Sequence, residues 1–349
     1  MPGTPARTDA ATAPDVVCLG ESMVTFLPSR PGRLADVPSF GRGIGGAESN
    51  VACALAAAGH RAAWVSRVGA DGFGDHLVDT VAGYGVDTSA VERDPARPTG
   101  IYFRTATDRA TDVHEVAYYR AGSAASAMSP DNVPRAALSA GRILHLSGIT
   151  AALSDSCLDL LRALTAPRPG RPLVSFDVNH RPGLWRGHTR SPGVLLELAR
   201  RADLVFVGED EAEEAWGLHG TAALCAALPE PSVLVVKHGA EGATVVSRAD
   251  GGETVTHVPA LRVDVVAPVG AGDAFAAGFL SATLRGLPDR ERARHGHLMA
   301  AAVLTVPGDL TDPPARDRAD RLAALDDAAW GRLRLGPGWT GDDQEVRTP

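Results

Sequence analysis

Cysteine is scarce in this chain of 349 residues: Cys18, Cys53, Cys157 and Cys225 stand far apart and no CxxC pair occurs. That spacing argues against a disulfide framework or a thiolate metal site and for reduced thiols, three of which lie in apolar runs. Long apolar stretches are also missing, so no segment reaches the ~20 residues that a membrane-spanning helix requires. Residues 1–14 lack the apolar core of a secretory leader and read, like residues 336–349, as solvated disordered tails. A cytoplasmic protein without a membrane or nucleic-acid partner is the expectation. Positive charge is not in excess, since 34 Lys and Arg face 42 Asp and Glu for a formal net charge of −8. No global field therefore attracts nucleic acid, and any nucleotide must be held by local backbone N–H groups and a few cations. The pattern G-x-x-x-x-G-K-[ST] is absent, which excludes a P-loop. His180, His188, His295 and His297 show no ligand grouping with Cys or acids and read as surface or supporting residues.

What is present is a strand–helix alternation. Asp15–Gly20 and Trp64–Val68 read as buried strands, and Ala47–Ala58 and Phe73–Ala82 as helices, the first stopped by Gly59. Between Thr99 and Arg120, Ile101, Phe103 and Thr105 alternate with Tyr102 and Arg104, and Val113, Glu115, Val116 and Tyr118 follow a polar turn. This half-exposed pattern predicts an antiparallel hairpin, part of a small β lid on an otherwise α/β domain. From Arg142 onward, four apolar runs end in polar residues: Ser147, Asp177 with Asn179, Glu209 with Glu211, and Lys237. Ligand sites of open parallel sheets form at such strand ends.

Two glycine-rich stretches carry chemistry. Gly41 to Gly46 satisfies G-x-G-x-x-G, but no convincing strand precedes it and no acid follows about twenty residues later at a strand end, so the dinucleotide reading fails its context. Close backbone approach to a small polar ligand suits Gly45 and Gly46 better, with Glu48 and Asn50 beside them. The second stretch, Ala267 to Gly278, predicts a tight turn and then an apolar helix. Successive N–H groups at Ala271, Gly272 and Asp273 would converge at a helix N-terminus and make an anion hole. Asp273 reads locally either as a helix cap or as the base for a hydroxyl nucleophile.

In these two stretches the chain resembles the ribokinase (PfkB) family of carbohydrate kinases, and within it the 2-keto-3-deoxygluconate kinases, from about Val16 to Asp309. The matching residues are Gly45-Gly46-Ala47-Glu48 with Asn50, Arg67-Val68-Gly69 with Asp71 and Gly74, and the turn Gly270 to Asp273. The segments around Tyr118-Tyr119-Arg120, Leu144 to Thr150 and Asp177 to Arg181 are similar to the sugar-acid subgroup. The resemblance implies a doubly wound, mostly parallel sheet flanked by helices over residues 15–335, with a β lid from about 21–44 and 97–121. It implies Asp273 as catalytic base, with Gly270, Ala271 and Gly272 completing the anion hole. Gly45, Gly46, Asn50, Tyr102, Tyr118, Arg120 and Arg181 would form the sugar pocket, the two arginines answering a substrate carboxylate. Lys237, Gly239 and Gly242, with Gly270 and Gly272, would face ATP, and Glu211 and Asn179 would hold Mg²⁺ through water. Gly208 stands where relatives have Asn, and Ala267 where many have an Asp that helps hold a monovalent cation, so that cation is not expected. A kinase of a neutral sugar or nucleoside, a sugar-binding regulator that has kept the fold, and a homo-oligomer meeting through the lid remain open.

Overall fold

All four side chains of Val16–Leu19 (β1) are buried, and they divide between two cores: Val16 and Cys18 enter one, Val17 and Leu19 the other. A strand covered on both faces produces this division, because successive side chains point to opposite sides. The computed structural model describes residues 13–30, 32–105, 115–185, 192–249 and 251–341, and in it β1 belongs to a nine-stranded sheet. The strands that follow are Met23–Pro28 (β2), Phe40–Gly45 (β3), Ala62–Gly69 (β4), Val91–Asp94 (β5), Ile101–Arg104 (β6), Val116–Tyr119 (β7) and Ile143–Ser147 (β8). After them come Leu173–Asp177 (β9), Leu204–Gly208 (β10), Val233–Lys237 (β11), Ala243–Ala249 (β12) and Gly252–Val258 (β13).

The large sheet has the order β13-β12-β11-β10-β9-β8-β1-β4-β5. Neighbours from β5 to β11 run parallel, whereas β12 and β13 are antiparallel additions. The expected mostly parallel, doubly wound sheet is what forms. From β1 the chain extends one way through β4 and β5 and the other way through β8 to β11, and ligands of such sheets bind in the crevice beyond the strand ends. Glu21, Asp177, Gly208 and Lys237 stand at or just beyond those ends.

A second sheet, in the order β3-β2-β6-β7, is the lid. The hairpin expected over Thr99–Arg120 is β6 with β7, paired antiparallel from Ile101 and Tyr119 to Arg104 and Val116, while Val113 lies outside the described residues. Phe26 stacks on Phe103 at 4.7 Å, Phe40 meets Phe103 edge-on at 5.2 Å, and Phe26 meets Phe73 of the main domain at 5.8 Å. Asp71 ties the lid base down. One carboxylate oxygen accepts from the N–H groups of Phe73 and Gly74, capping the helix Gly72–Gly83, and the other accepts from the N–H of Thr99. A cap of this kind contributes about 1 kcal/mol.

Two expectations need correction. Residues 336–341 are not a solvated tail, because Trp339 is buried in the core; residues 342–349, like 1–12, lie outside the described residues. A Trp in a polar, glycine-rich segment has no periodic neighbours to announce its burial, and only the packed core accepts it. His295 and His297 are buried rather than superficial: His295 faces Asp320 at 3.2 Å and His297 faces the Val258 carbonyl at 3.1 Å. His188 lies outside the described residues. Cys18, Cys53 and Cys157 are buried and Cys225 is half-buried, and no disulfide joins them among the described residues.

Candidate active site

Gly270 starts the helix Ala271–Leu284 in the left-handed conformation, at φ +78°. A Cβ at this position would be strained and would lie 2.6 Å from the carbonyl oxygen of Asp309, so the turn demands glycine. No side chain caps the helix, and Gly270, Ala271, Gly272 and Asp273 line a cleft of about 270 Å³. Uncapped first-turn N–H groups and the helix dipole together favour an anion there.

The structure shows no cap role for Asp273. Its carboxylate does not cap the helix; Oδ2 accepts a hydrogen bond from Nδ2 of Asn50 at 2.8 Å. Burial pushes its pKa up to about 7, and the charge of Asp177 adds to the rise, against the Asn50 hydrogen bond, Arg181 and Lys237. The residue as a whole is half-buried because the cleft is open above it. A carboxyl with this pKa can accept a proton near neutrality.

Gly45, Gly46, Tyr102, Tyr118 and Arg120 from the lid and its junction, with Asn50 and Arg181 from the main domain, all line the same cleft. A Cβ on Gly45 would lie 2.5 Å from the Tyr102 hydroxyl, so a larger residue would displace that phenol. Tyr102 donates to Asp309 Oδ2 at 3.1 Å, and Arg104 donates to Oδ1 at 2.8 Å. Asp309 thereby joins lid strand β6 to the loop packed against Gly270, and burial raises its pKa in spite of Arg104. Arg120 is nearly buried and paired with Glu21, its Nε donating to Oε2 at 2.7 Å, while Ser123 donates to the other oxygen of Glu21. Arg181 is half exposed and donates to Glu211 Oε1 at 3.2 Å.

On the opposite side, Lys237 Nζ donates to both oxygens of Asp177, at 3.1 and 3.2 Å. Burial would lower the lysine pKa, but Asp177 and then Glu211 raise it overall, so the ammonium stays charged. It stands beside the anion hole, 3.8 Å from where a Cβ on Gly272 would be. Asn179 adopts φ +43° and is buried, with its Oδ1 lacking a hydrogen-bond partner among the described residues. Glu211 Oε2 accepts from the Gly208 N–H at 2.9 Å and so closes the first turn of the helix Glu209–Trp216. Gly239 and Gly242 are not among the residues lining the cleft. Both have positive φ and form the turn between β11 and β12, where a Cβ on Gly242 would meet the Val258 carbonyl at 2.2 Å. Their glycine requirement follows from that turn.

Residues 13–316 match the model of the pfkB family carbohydrate kinases. The chain belongs to the pfkB family of carbohydrate kinases. It is similar to the 2-dehydro-3-deoxygluconokinase of Bacillus subtilis, with 34% identity over 309 residues, 87% of this chain and 94% of that one. A PfkB protein from Polaromonas sp. JS666 shares its fold with a TM-score of 0.75 at 34% identity, covering 88% of this chain and 99% of that one. A sugar kinase from Pyrococcus horikoshii, solved in complex with ATP, aligns with a TM-score of 0.75 at 26% identity, covering 87% and 96%. Among the described residues no helix is long and apolar enough to cross a membrane.

The kinase cleft also holds residues that sequence reasoning did not assign to it: Glu21, Asp177 and Asp309. Asp177 carried a signal, as an acid at the end of an apolar run. Glu21 follows the glycine that stops β1 but stands beside no motif glycine. Asp309 lies in a loop without periodicity, and only its reach to Tyr102 and Arg104 reveals it.

Proposed function

We propose that this kinase phosphorylates the terminal hydroxyl of 2-keto-3-deoxygluconate, or a related 2-keto-3-deoxy sugar acid, at the expense of ATP. The carrying observation is that Asp273, Arg120 and Arg181 line one cleft, together with the uncapped helix start. Asp273 accepts the hydroxyl proton as the sugar oxygen bonds to the γ-phosphorus and the bond to the ADP oxygen breaks. The N–H groups of residues 270–273 donate to the transferring phosphoryl oxygens, at about 3 kcal/mol per donor by analogy with oxyanion holes. Lys237, held ready by Asp177, pairs with the phosphates.

The oxygen donors present suit Mg²⁺: Asn179 has a buried, unpartnered Oδ1, and Glu211 offers a carboxylate beside it in the cleft. These two residues would hold the ion through water, and when bound it neutralises phosphate charge. Ala267 is buried and brings no carboxylate for a monovalent cation. Arg181, half exposed and donating to Glu211 and to the His180 carbonyl, is the cation for the substrate carboxylate, while Arg120 orients the hydroxyls from the lid. Closing the lid over the sugar excludes water, so the hydroxyl is phosphorylated in its place.

Glu21 favours a second reading, a neutral sugar, since it already neutralises Arg120. A coupled ADP-release assay over keto sugar acids, neutral hexoses and nucleosides separates the two. The sugar-acid reading expects the highest kcat/KM for a keto-deoxy acid; a higher value for fructose or ribose overturns it. No phosphorylated product from any acceptor would count against Asp273 as a working base.

A further inference from the structure

A second, larger cleft of about 940 Å³ opens on the helical layer away from the sugar and nucleotide residues. It lies between the ends of the helices Ala47–Ala57 and Gly72–Gly83, the helix Ala271–Leu284 and the segment 312–319. Its volume is within the range of small-molecule sites. The floor is apolar, from Leu298, Met299, Pro313 and Ala319, and Tyr84 adds an aromatic ring. Two arginines, Arg285 and Arg316, stand among the polar groups of the lining, with Thr80, Ser281, His295 and Asp312.

Arg316 donates to the carbonyl of Ala58 at 3.2 Å, and no carboxylate among the described residues pairs with it. Arg285 is held by both oxygens of Asp320, at 2.7 and 2.8 Å, and Asp320 also faces His295. Asp312 is the acid in the lining. Ser281, also in the lining, bonds to His60 at 2.8 Å. The pKa of His60 is lowered first by burial and then by Arg316, with Arg285 and Arg142 acting the same way and Asp15 opposing.

A small void between this cleft and the proposed kinase site shares wall residues with both. Met299 and Pro313 line it and also line a small internal void that includes Asn50, Ala274, Asp309 and Leu310. Asn50 holds Asp273, and Asp309 holds Tyr102 and Arg104. The short segment 309–316 therefore runs from the floor of one site to the wall of the other, stiffened by Pro313 and Pro314.

We propose that this cleft is a regulatory site for an amphipathic organic anion, its apolar body on the Leu298–Met299–Ala319 floor and its acidic group at Arg316 and Arg285, and that binding there restrains the segment 309–316. Charge complementarity with a carbon surface beside it selects this ligand class over a neutral lipid or a free inorganic ion. The sugar acceptor plays no part in the binding, so the proposal stands or falls apart from the substrate assignment.

The test uses the full chain with saturating Mg²⁺–ATP, which blocks the nucleotide site, and 1-anilinonaphthalene-8-sulfonate as the probe. The wild type is expected to bind one probe per chain, with the fluorescence rise of an apolar site. N-phenyl-1-naphthylamine, the same body without the sulfonate, and the Arg316→Glu variant should each show binding at least about tenfold weaker. Ala57→Trp, which fills the cleft from an exposed position, should abolish binding, and unchanged melting temperatures would show that both variants fold. Hydrogen exchange in peptides covering 309–316 should slow on binding in the wild type and not in Arg316→Glu. Absence of binding, equal binding by all three proteins, or equal binding of the neutral probe overturns the proposal. So does self-association that Arg316→Glu relieves without any probe binding, which would mean that a second copy covers this face.

Discussion

Asn50 and Asp273, 223 residues apart in the chain, meet through a 2.8 Å hydrogen bond between the amide nitrogen and the carboxylate. One residue comes from the helix that follows the lid strand β3, the other from the first turn of the helix behind the anion hole. The contact sets both the position and the proton affinity of the proposed base. Because a charged acceptor makes the stronger hydrogen bond, Asn50 holds the pKa of Asp273 below the value that burial alone would impose.

Replacing the base tests the chemistry most directly. Asp273→Ala is expected to lower kcat by about 10²–10⁴ or more, the range for loss of a general base. Sugar binding, followed by calorimetry, should survive. An unchanged kcat would remove Asp273 from the mechanism.

The pH profile tests the hydrogen bond. With a pKa of about 7, Asp273 is protonated and inactive at low pH, so kcat/KM should fall as pH drops through about 7. Asn50→Ala removes an interaction that favours the charged form, so the acid limb should move to higher pH. A limb that stays in place would mean that another group controls it.

Arg181→Ala should raise KM for a keto sugar acid by about tenfold while changing KM for ATP little, because roughly 1.4 kcal/mol of carboxylate binding is lost. Initial-rate kinetics with each substrate varied in turn gives both numbers. Equal increases in the two KM values would place the residue on the nucleotide.

Glu48 offers a stability test. It is fully buried, accepts from Thr150 at 2.7 Å, and burial pushes its pKa up to about 8. The folded carboxyl keeps its proton to about pH 8, whereas the unfolded chain releases it near 4.5, so this group lowers stability as pH rises between those values. Glu48→Gln does not titrate. Its melting temperature relative to wild type should therefore climb from pH 5 to pH 8 and level off above, measured by circular dichroism; a constant difference would contradict the raised pKa.

The ion requirement follows from the residues present. Chelation of Mg²⁺ is expected to stop phosphoryl transfer, while exchange of potassium for sodium or a bulky organic cation at constant ionic strength should change kcat less than twofold, by about 0.4 kcal/mol at most. A large potassium activation would show that carbonyl groups alone form a cation site around Ala267.

Most of the framework can be read along the chain, because it is built from local rules. Val16–Leu19 and the runs ending at Ser147, Asp177 and Lys237 are strands because parallel sheets bury both faces, and glycine or a polar residue marks each end. The lid hairpin shows in the alternation from Ile101 to Arg104. Gly270 to Asp273 marks the proposed anion hole, because an uncapped helix N-terminus favours an anion. Tertiary structure decided what local rules leave degenerate. Asp273 could cap its own helix or face a substrate, and Asn50 from a distant helix draws it away from the cap. Glu21 and Asp309 line the cleft because reach across it depends on how β1, the lid and the 305–310 loop pack together. Asp273 begins as one acid in a turn, and burial beside Asn50 and Asp177 brings its pKa into the range of a base at neutral pH.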